Sequence, residues 1–223
     1  TAEIIAAGFQ PLEEQDFLPA KDLLAYWVNV DFTPPPVMQT LIKRFSSQIT
    51  LRTLRRNRFD EEMEILRDIF NDAWSDNWGF VPFTREEFAE LGSSLRLLLP
   101  DDYIQIAEVN GDPAAFMVAL PNLNEVLVEL NGSLFPFGWL KMINRIRKHQ
   151  IRTGRIPLMG VRKQFRNTPL GLALACLVID APRKVAIARG VKEVEMSWIL
   201  EDNSAMRGIL DSIGSQQYKS YRI

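Results

Sequence analysis

The chain has 223 residues, 47% hydrophobic and 24% charged, with a net charge of −2. That length holds one full domain, or one domain and part of another. No apolar run approaches the roughly 20 residues of a membrane-spanning helix. One cysteine, Cys176, and one histidine, His149, leave no internal disulfide framework, no Cys-based zinc site and no His-cluster metal site. No metal is therefore expected, and the cytoplasm is the expected compartment. The opening, Thr1-Ala2-Glu3-Ile4-Ile5, has neither an initiator Met nor a basic-then-apolar leader, and reads as the continuation of something longer.

The small net charge conceals an asymmetry. Between Glu129 and Asp180 there is no acidic residue but nine basic ones: Lys141, Arg145, Arg147, Lys148, Arg152, Arg155, Arg162, Lys163 and Arg166. Elsewhere 17 Lys and Arg face all 28 Asp and Glu. A segregated basic field predicts an anionic partner.

In chain order, residues 5–10 read as a helix end with a Gly stop and residues 25–30 as a strand. Residues 1–33 are expected to be the terminal helix end and strand of a preceding, truncated repeat, because the C-terminus repeats the same helix, Gly, strand grammar up to Ile223. Residues 34–48, with Pro34-Pro35-Pro36, form a linker and a short helix, and the main domain spans 49–223. Residues 49–54 alternate as a strand. Apolar spacing from Glu61 to Trp74 predicts a helix, and Thr84 with Glu87 predicts a capping box opening the next. Strands at 103–109 and 115–120 flank Asn110-Gly111-Asp112-Pro113, a hairpin signal. After an insertion at 122–154 come a strand at 156–161, a helix from Pro169 to about Arg189, a strand at 193–200, a helix at 203–213 and the last strand. The fold class is α/β, a mixed central sheet flanked by helices.

The segment Leu158 to Leu174 carries the chemistry. A buried strand enters a short basic loop, and the loop opens a helix whose unpaired N–H groups and dipole favour phosphate. Arg162, Lys163 and Arg166 can add charge-assisted bonds. The segment has no Gly-Lys-Ser/Thr ending of a P-loop and no dinucleotide glycine pattern. Arg166-Asn167-Thr168-Pro169-Leu170-Gly171 resembles the Q/R-x-x-G-x-G/A pyrophosphate loop of the GNAT acyltransferase superfamily. Glu195 to Asn203 resembles its fifth strand and the Asn opening its fourth helix, and Ile209 to Gly214 the end of that helix. The resemblance covers roughly residues 45–223. With Ala73 to Pro82 it is similar to an uncharacterised bacterial tandem group, in which an incomplete first copy precedes the coenzyme-binding copy. It implies a mostly antiparallel GNAT-like sheet and an acyl-CoA co-substrate, acetyl-CoA in the first instance. It places Gly160, Val161, Arg162, Arg166, Asn167, Thr168, Leu170, Gly171 and Asn203 at that co-substrate. Two positions depart from the pattern. Pro169 replaces the first loop glycine and removes one donor, and Leu210 stands where many relatives place a Tyr that protonates the leaving thiolate.

The implied reaction is direct transfer of an acyl group from coenzyme A to a small-molecule or peptide amine. It needs a base for the ammonium and a donor for the thioester oxygen. The backbone N–H near Val161 is the expected donor. Glu201 and Asp202 are the candidate bases, with a helix-capping role as the alternative for Asp202. Trp74, Asn77, Trp78 and Trp198 are candidate acceptor-pocket residues, with core packing as the alternative for Trp74 and Trp198. Cys176 is expected in the core and His149 at the surface. In the insertion, Lys141, Arg145, Lys148 and Arg152 would share one face of a helix over 137–152, with Trp139, Met142, Ile143 and Ile146 on another. Such a helix packs its apolar side on the domain, makes peripheral membrane contact through 134–152, or lends its basic face to the 3′-phosphate of the coenzyme. A non-catalytic acyl-CoA-binding or membrane-surface module is the alternative to an enzyme. No nucleic-acid partner is expected, because no nucleic-acid-binding motif supports one.

Overall fold

A computed structural model describes residues 18–96, 100–131, 133 and 135–223. The expected helix end at 5–10, and Leu134 of the insertion, lie outside the described residues. Seven strands form one sheet: β1 (Asp22–Asn29), β2 (Ile49–Thr53), β3 (Ile104–Val109), β4 (Asp112–Pro121), β5 (Thr153–Val161), β6 (Glu193–Leu200) and β7 (Gln216–Arg222). Their spatial order is β2-β3-β4-β5-β6-β1-β7. Every neighbouring pair is antiparallel except β5 with β6. The helices are α1 (Pro36–Phe45), α2 (Phe59–Trp74), α3 (Arg85–Leu95), α4 (Asn124–Glu129), α5 (Gly138–Arg147), α6 (Pro169–Ala188) and α7 (Ser204–Ser212).

Local chemistry accounts for the boundaries. Thr84 and Glu87 form the reciprocal capping box at the start of α3. Asn110 and Gly111, with φ of 53° and 92°, supply the two left-handed residues of a tight β3–β4 hairpin. Pro169 sits at the first turn of α6, capped by the Thr168 hydroxyl.

The sheet divides two cores. Leu24, Tyr26, Val28, Ala107, Met117, Ile156 and Met196 pack with Leu174 and Val178 of α6 and Leu210 of α7. On the opposite face Ile104, Ile106, Phe116 and Val118 pack with Met63, Leu66, Ile69 and Phe70 of α2 and Phe88 of α3. Cys176 is buried in the first core. Burial, and then the Asp180 carboxylate, push its thiol up to about 11, as expected of an inert core cysteine.

Strand β1 occupies a demanding position. The β6–α7–β7 crossover sets two parallel strands one slot apart, and β1 fills the slot, antiparallel to both. Leu23 pairs with Leu200 on one side and Tyr221 on the other. Residues 22–29, expected to end a preceding repeat, are therefore hydrogen-bonded inside the same sheet as residues 49–223. Without them two strand edges lose their partners, and the first core loses Leu24, Tyr26 and Val28. A chain beginning at residue 31 is expected to lose cooperative thermal unfolding, followed by circular dichroism, whereas one beginning at residue 18 retains it.

Candidate active site

The site is built where β5 and β6 part. Their parallel ladder pairs Thr153 with Glu193 through Ile156 with Met196 and then ends, although β5 continues to Val161 and β6 to Leu200. On the other edge of β5, Leu120 pairs with Arg155 and Val118 with Leu158. One residue of β4, Ala119, thus opposes two of β5, which is a β-bulge at Ile156-Pro157. Pro157 has no N–H to give. The bulge also turns Leu158 to the α2–α3 core, whereas Ile156 belongs to the α6 core.

Beyond the bulge, alternation in the β4–β5 ladder directs the backbone groups of Met159 and Val161 to the open edge. The Met159 carbonyl accepts a 3.0 Å hydrogen bond from the Trp74 indole. Trp74 also stacks on Phe70 at 4.8 Å, so it joins the α2–α3 core to the rim of the opening. Asn77 and exposed Trp78 lie in the turn after α2, where the Asn77 amide and carbonyl bond Trp74 and Phe80.

At the far end of β5, the loop to α6 satisfies many of its own amides. Those of Arg162, Lys163, Phe165, Arg166 and Thr168 reach Ala114, Asp72, Arg162, Lys163 and Phe165, and that of Gly171 is taken by the Thr168 hydroxyl at 3.0 Å. In the stretch 166–171 only Asn167 and Leu170 keep a backbone N–H without an acceptor among the described residues. Asn167 has φ 56°. The basic side chains expected to add bonds to phosphate are engaged by carboxylates of this chain. A row of acids one turn apart on and just after α2 meets them. Asp68 binds Arg162 at 2.6 Å, and Asp76 binds Lys163 at 2.5 Å and Arg166 at 2.9 Å. Hydrogen bonding by Lys163, then the nearby Arg166 charge, hold the Asp76 carboxyl below its ordinary value. Gly160 is buried against Phe116 and Ala73. Gly171 is required by proximity, since a Cβ there would lie 2.0 Å from the Phe165 carbonyl oxygen.

The proposed bases stand elsewhere. Past Leu200 the chain turns toward β1. The Glu201 carboxylate accepts from the Asp22 amide at 3.3 Å, and Lys21 bonds Asp202 at 2.6 Å. That hydrogen bond lowers the Asp202 pKa and raises that of Lys21. Both acids thus lie on the β1 side of β6, away from its open edge. The α7 cap is Asn203, whose side chain accepts from the Met206 amide at 3.1 Å.

A different cluster sits at the vertex of the opening. Arg155 and Glu195 are the penultimate pair of the ladder. Arg155 donates to the Ser197 hydroxyl at 3.1 Å, and Ser197 donates to Glu195 at 2.6 Å. Ser197 is buried. Tyr218 of β7 lies against Glu195. Its partial burial, and then the Glu195 charge, push its phenol up to about 12. Trp27 packs on Tyr218 at 5.4 Å. Trp198 lies beneath Arg155 and against Tyr221. These side chains occupy the sheet face that α2 and α3 cover only over the other strands.

A seven-stranded sheet with this order, parted at one parallel pair and faced by a helix N-terminus, matches known structures. The GCN5-related N-acetyltransferase from Sphaerobacter thermophilus superposes with a TM-score of 0.59 at 18% identity, covering 97% of this chain and 55% of that one. The fold is that of the GCN5-related N-acetyltransferases. The tandem GNAT protein of the clavulanic acid biosynthesis pathway superposes with a TM-score of 0.54 at 14% identity, over 97% of this chain and 56% of that one. No family model matches the chain. In sequence it is 46% identical over 213 residues to Protein YghO of Escherichia coli (strain K12), covering 95% of this chain and 55% of that protein. It is 38% identical over 230 residues to the bacterial ceramide synthase of Caulobacter vibrioides, covering all of this chain and 60% of that protein. The chain thus spans little more than half the length of these curated relatives.

On the GNAT fold, Leu210 is fully buried in the α6 core, so α7 presents no phenol at that position. Tyr218 is the phenol nearest the vertex carboxylate. Sequence reasoning missed Arg155, Glu195 and Tyr218. The available signals were a Pro inside a strand and the polar alternation Glu193, Glu195, Ser197.

Two outcomes follow. Gly171→Ala should destabilise the protein by about 1–3 kcal/mol, read from denaturant midpoints, because the new methyl must displace backbone. The raised Tyr218 pKa stabilises the fold below the unfolded phenol value near ~10, and that stabilisation disappears as pH rises through about 12. Stability measured across this window should therefore fall less steeply in Tyr218→Phe.

Proposed function

We propose that this chain carries an acyl-CoA-dependent N-acyltransferase site in which the acyl group passes directly from sulfur to an amine. The observation that supports this best is the parted β5–β6 ladder. It leaves peptide groups of β5 on the edge that faces away from β4, between the vertex network and the start of α6. The residues present fit an acyl-CoA: the Asn167 and Leu170 amides are available for phosphate, and Met159 and Val161 offer backbone donors to a thioester carbonyl. The thioester supplies an electrophilic carbon and a thiolate leaving group.

In this reading Glu195 accepts the proton of the attacking amine, relayed through the Ser197 hydroxyl it already holds. Arg155 positions Ser197 and lies 3.9 Å from the Glu195 carboxylate. Tyr218 stays protonated throughout the neutral range, so it acts as a donor toward the departing sulfur and not as a base. The C–N bond forms as the C–S bond breaks; the sulfur takes the Tyr218 proton, and the proton that Glu195 accepted from the amine passes to Tyr218, which lies against it, so both groups return to their starting state. Trp27, Trp198 and Tyr221 form the wall on which the acceptor rests. Glu201 and Asp202 are assigned no catalytic role, since Lys21 and the β1 backbone engage them.

The acceptor class comes from a relative. One curated protein is named a bacterial ceramide synthase, and a ceramide is an N-acylated long-chain amino alcohol. We assign the same class here, with a long-chain acyl-CoA as donor in place of the acetyl-CoA first expected. A second reading, a binding module without turnover, is favoured by one observation: Asp68, Asp72 and Asp76 engage the loop that would receive the pyrophosphate.

Thiol release measured with acetyl- to palmitoyl-CoA, against an amine panel including sphinganine, tests the assignment. Turnover is expected with the long-chain pair. Glu195→Gln should lower kcat by about 10²–10⁴ while Glu201→Gln leaves it near wild type. Thermal stabilisation by acyl-CoA without thiol release from any pair would favour the binding module. Equal loss in both variants would remove Glu195 as base. Asp76→Asn should tighten coenzyme binding by releasing Lys163 and Arg166.

A further inference from the structure

The insertion between β4 and β5 does not pack as an ordinary surface helix. Helix α5 ends at Arg147, so the expected basic face through Arg152 does not form, and the Arg152 guanidinium instead bonds the Gly190 carbonyl at 3.0 Å. Met142, Ile143 and Ile146 are half-buried and make the packed side. No residue of α5 is buried.

The exposed apolar residues of the insertion lie close together in the chain, around the turn that leads into α5, here its tip. Val128, Phe135, Phe137, Trp139 and Leu140 are 76%, 72–82% for the two Phe, 41% and 48% exposed. Five of the fifteen exposed large hydrophobics of the described residues thus fall within thirteen positions, and the others are dispersed along the chain. The tip is held in shape. The Trp139 indole donates to the Pro136 carbonyl at 3.1 Å, and Ser133 donates to the Phe135 carbonyl at 3.0 Å. An apolar cluster of this kind on a preformed turn marks a contact surface.

Its flank is basic. Residues 122–152 hold five Lys and Arg against two acids. Glu129 is shared by Lys141 at 3.1 Å and Arg145 at 2.8 Å. Glu125 is turned inward to the Arg152 and Thr153 amides. Arg147 and Lys148 are exposed and have no acidic partner among the described residues. Aromatic rings at a tip, with cations beside them, suit the boundary of an anionic bilayer, where rings enter the headgroup layer and cations meet phosphates. A protein partner would favour fewer charges around the apolar centre.

We propose that the tip formed by Val128, Phe135, Phe137, Trp139 and Leu140 docks on an anionic lipid surface, with Arg147 and Lys148 at the headgroups. The inference rests on exposure and charge and stands whether or not the chain is an acyltransferase. The chain is co-sedimented with vesicles of phosphatidylcholine alone and of an equimolar phosphatidylcholine–phosphatidylglycerol mixture. The mixture should retain it, and added salt should weaken retention. The Phe135→Ser/Phe137→Ser double variant, with an unchanged melting midpoint, should lose about ten-fold or more in partitioning, and Arg147→Gln/Lys148→Gln should lose the preference for the anionic mixture. Brominated lipid should quench tryptophan emission in the wild type and much less in Trp139→Phe. No retention on either vesicle, undiminished retention of the Phe double variant, or quenching that survives Trp139→Phe would each overturn the proposal. Salt-insensitive retention on phosphatidylcholine alone would overturn it as well.

Discussion

The arrangement depends on one interruption of hydrogen bonding. A parallel ladder between β5 and β6 would be satisfied along its whole length if nothing stopped it, because buried peptide groups seek partners. At Pro157 the donor is missing and an extra residue enters the strand. The pairing stops at Ile156 and Met196. From there the backbones diverge, and peptide groups that would have bonded each other face an opening. The Trp74 indole takes one of those carbonyls, so the parted edge is partly satisfied by a side chain from α2. The opening is therefore a built feature with its own support.

The basic segment illustrates how local charge balance can be concealed by sequence distance. Arg162, Lys163 and Arg166 look unopposed from Glu129 to Asp180, yet Asp68 and Asp76 meet them about ninety residues earlier in the chain. Mostly exposed pairs of this kind contribute little to stability. They are also readily exchanged for other anions, since a phosphate offers the same charge with more oxygens. The acids thus hold the loop in shape while leaving its cations exchangeable. Within the basic segment, Arg147, Lys148 and Arg152 of the insertion keep no acidic side-chain partner among the described residues.

Much of the fold was legible. The capping box at Thr84, the Asn110-Gly111 hairpin, and Thr168-Pro169 at the start of α6 are short-range signals whose physics is complete within a few residues. The bulge was not legible, because it exists only in the pairing of β5 with β4. The vertex network was hidden for the same reason: Arg155, Glu195 and Tyr218 come from three strands, and only the register brings them together. Glu201 and Asp202 are the candidate bases that the sequence offers at the end of β6. Their partner Lys21 lies some 180 residues away, on the segment expected to end a preceding repeat. The same distance hid the place of β1 between β6 and β7.

The two ends of β5 impose opposite chemistry on the domain. Its last residue leads into the loop and the start of α6, where amides and cations favour phosphate. Its first residue follows the insertion, whose exposed rings favour an apolar phase. At about 3.3 Å per residue, the nine residues between them place these ends roughly 26 Å apart. The vertex network lies near the insertion end, at Arg155. In the proposed reading, the coenzyme phosphates are held at one end, the amphiphilic acceptor approaches from the other, and both reach the interruption at Pro157. The bulge that ends the β5–β6 pairing then also sets, in that reading, which end of the strand each reactant would use.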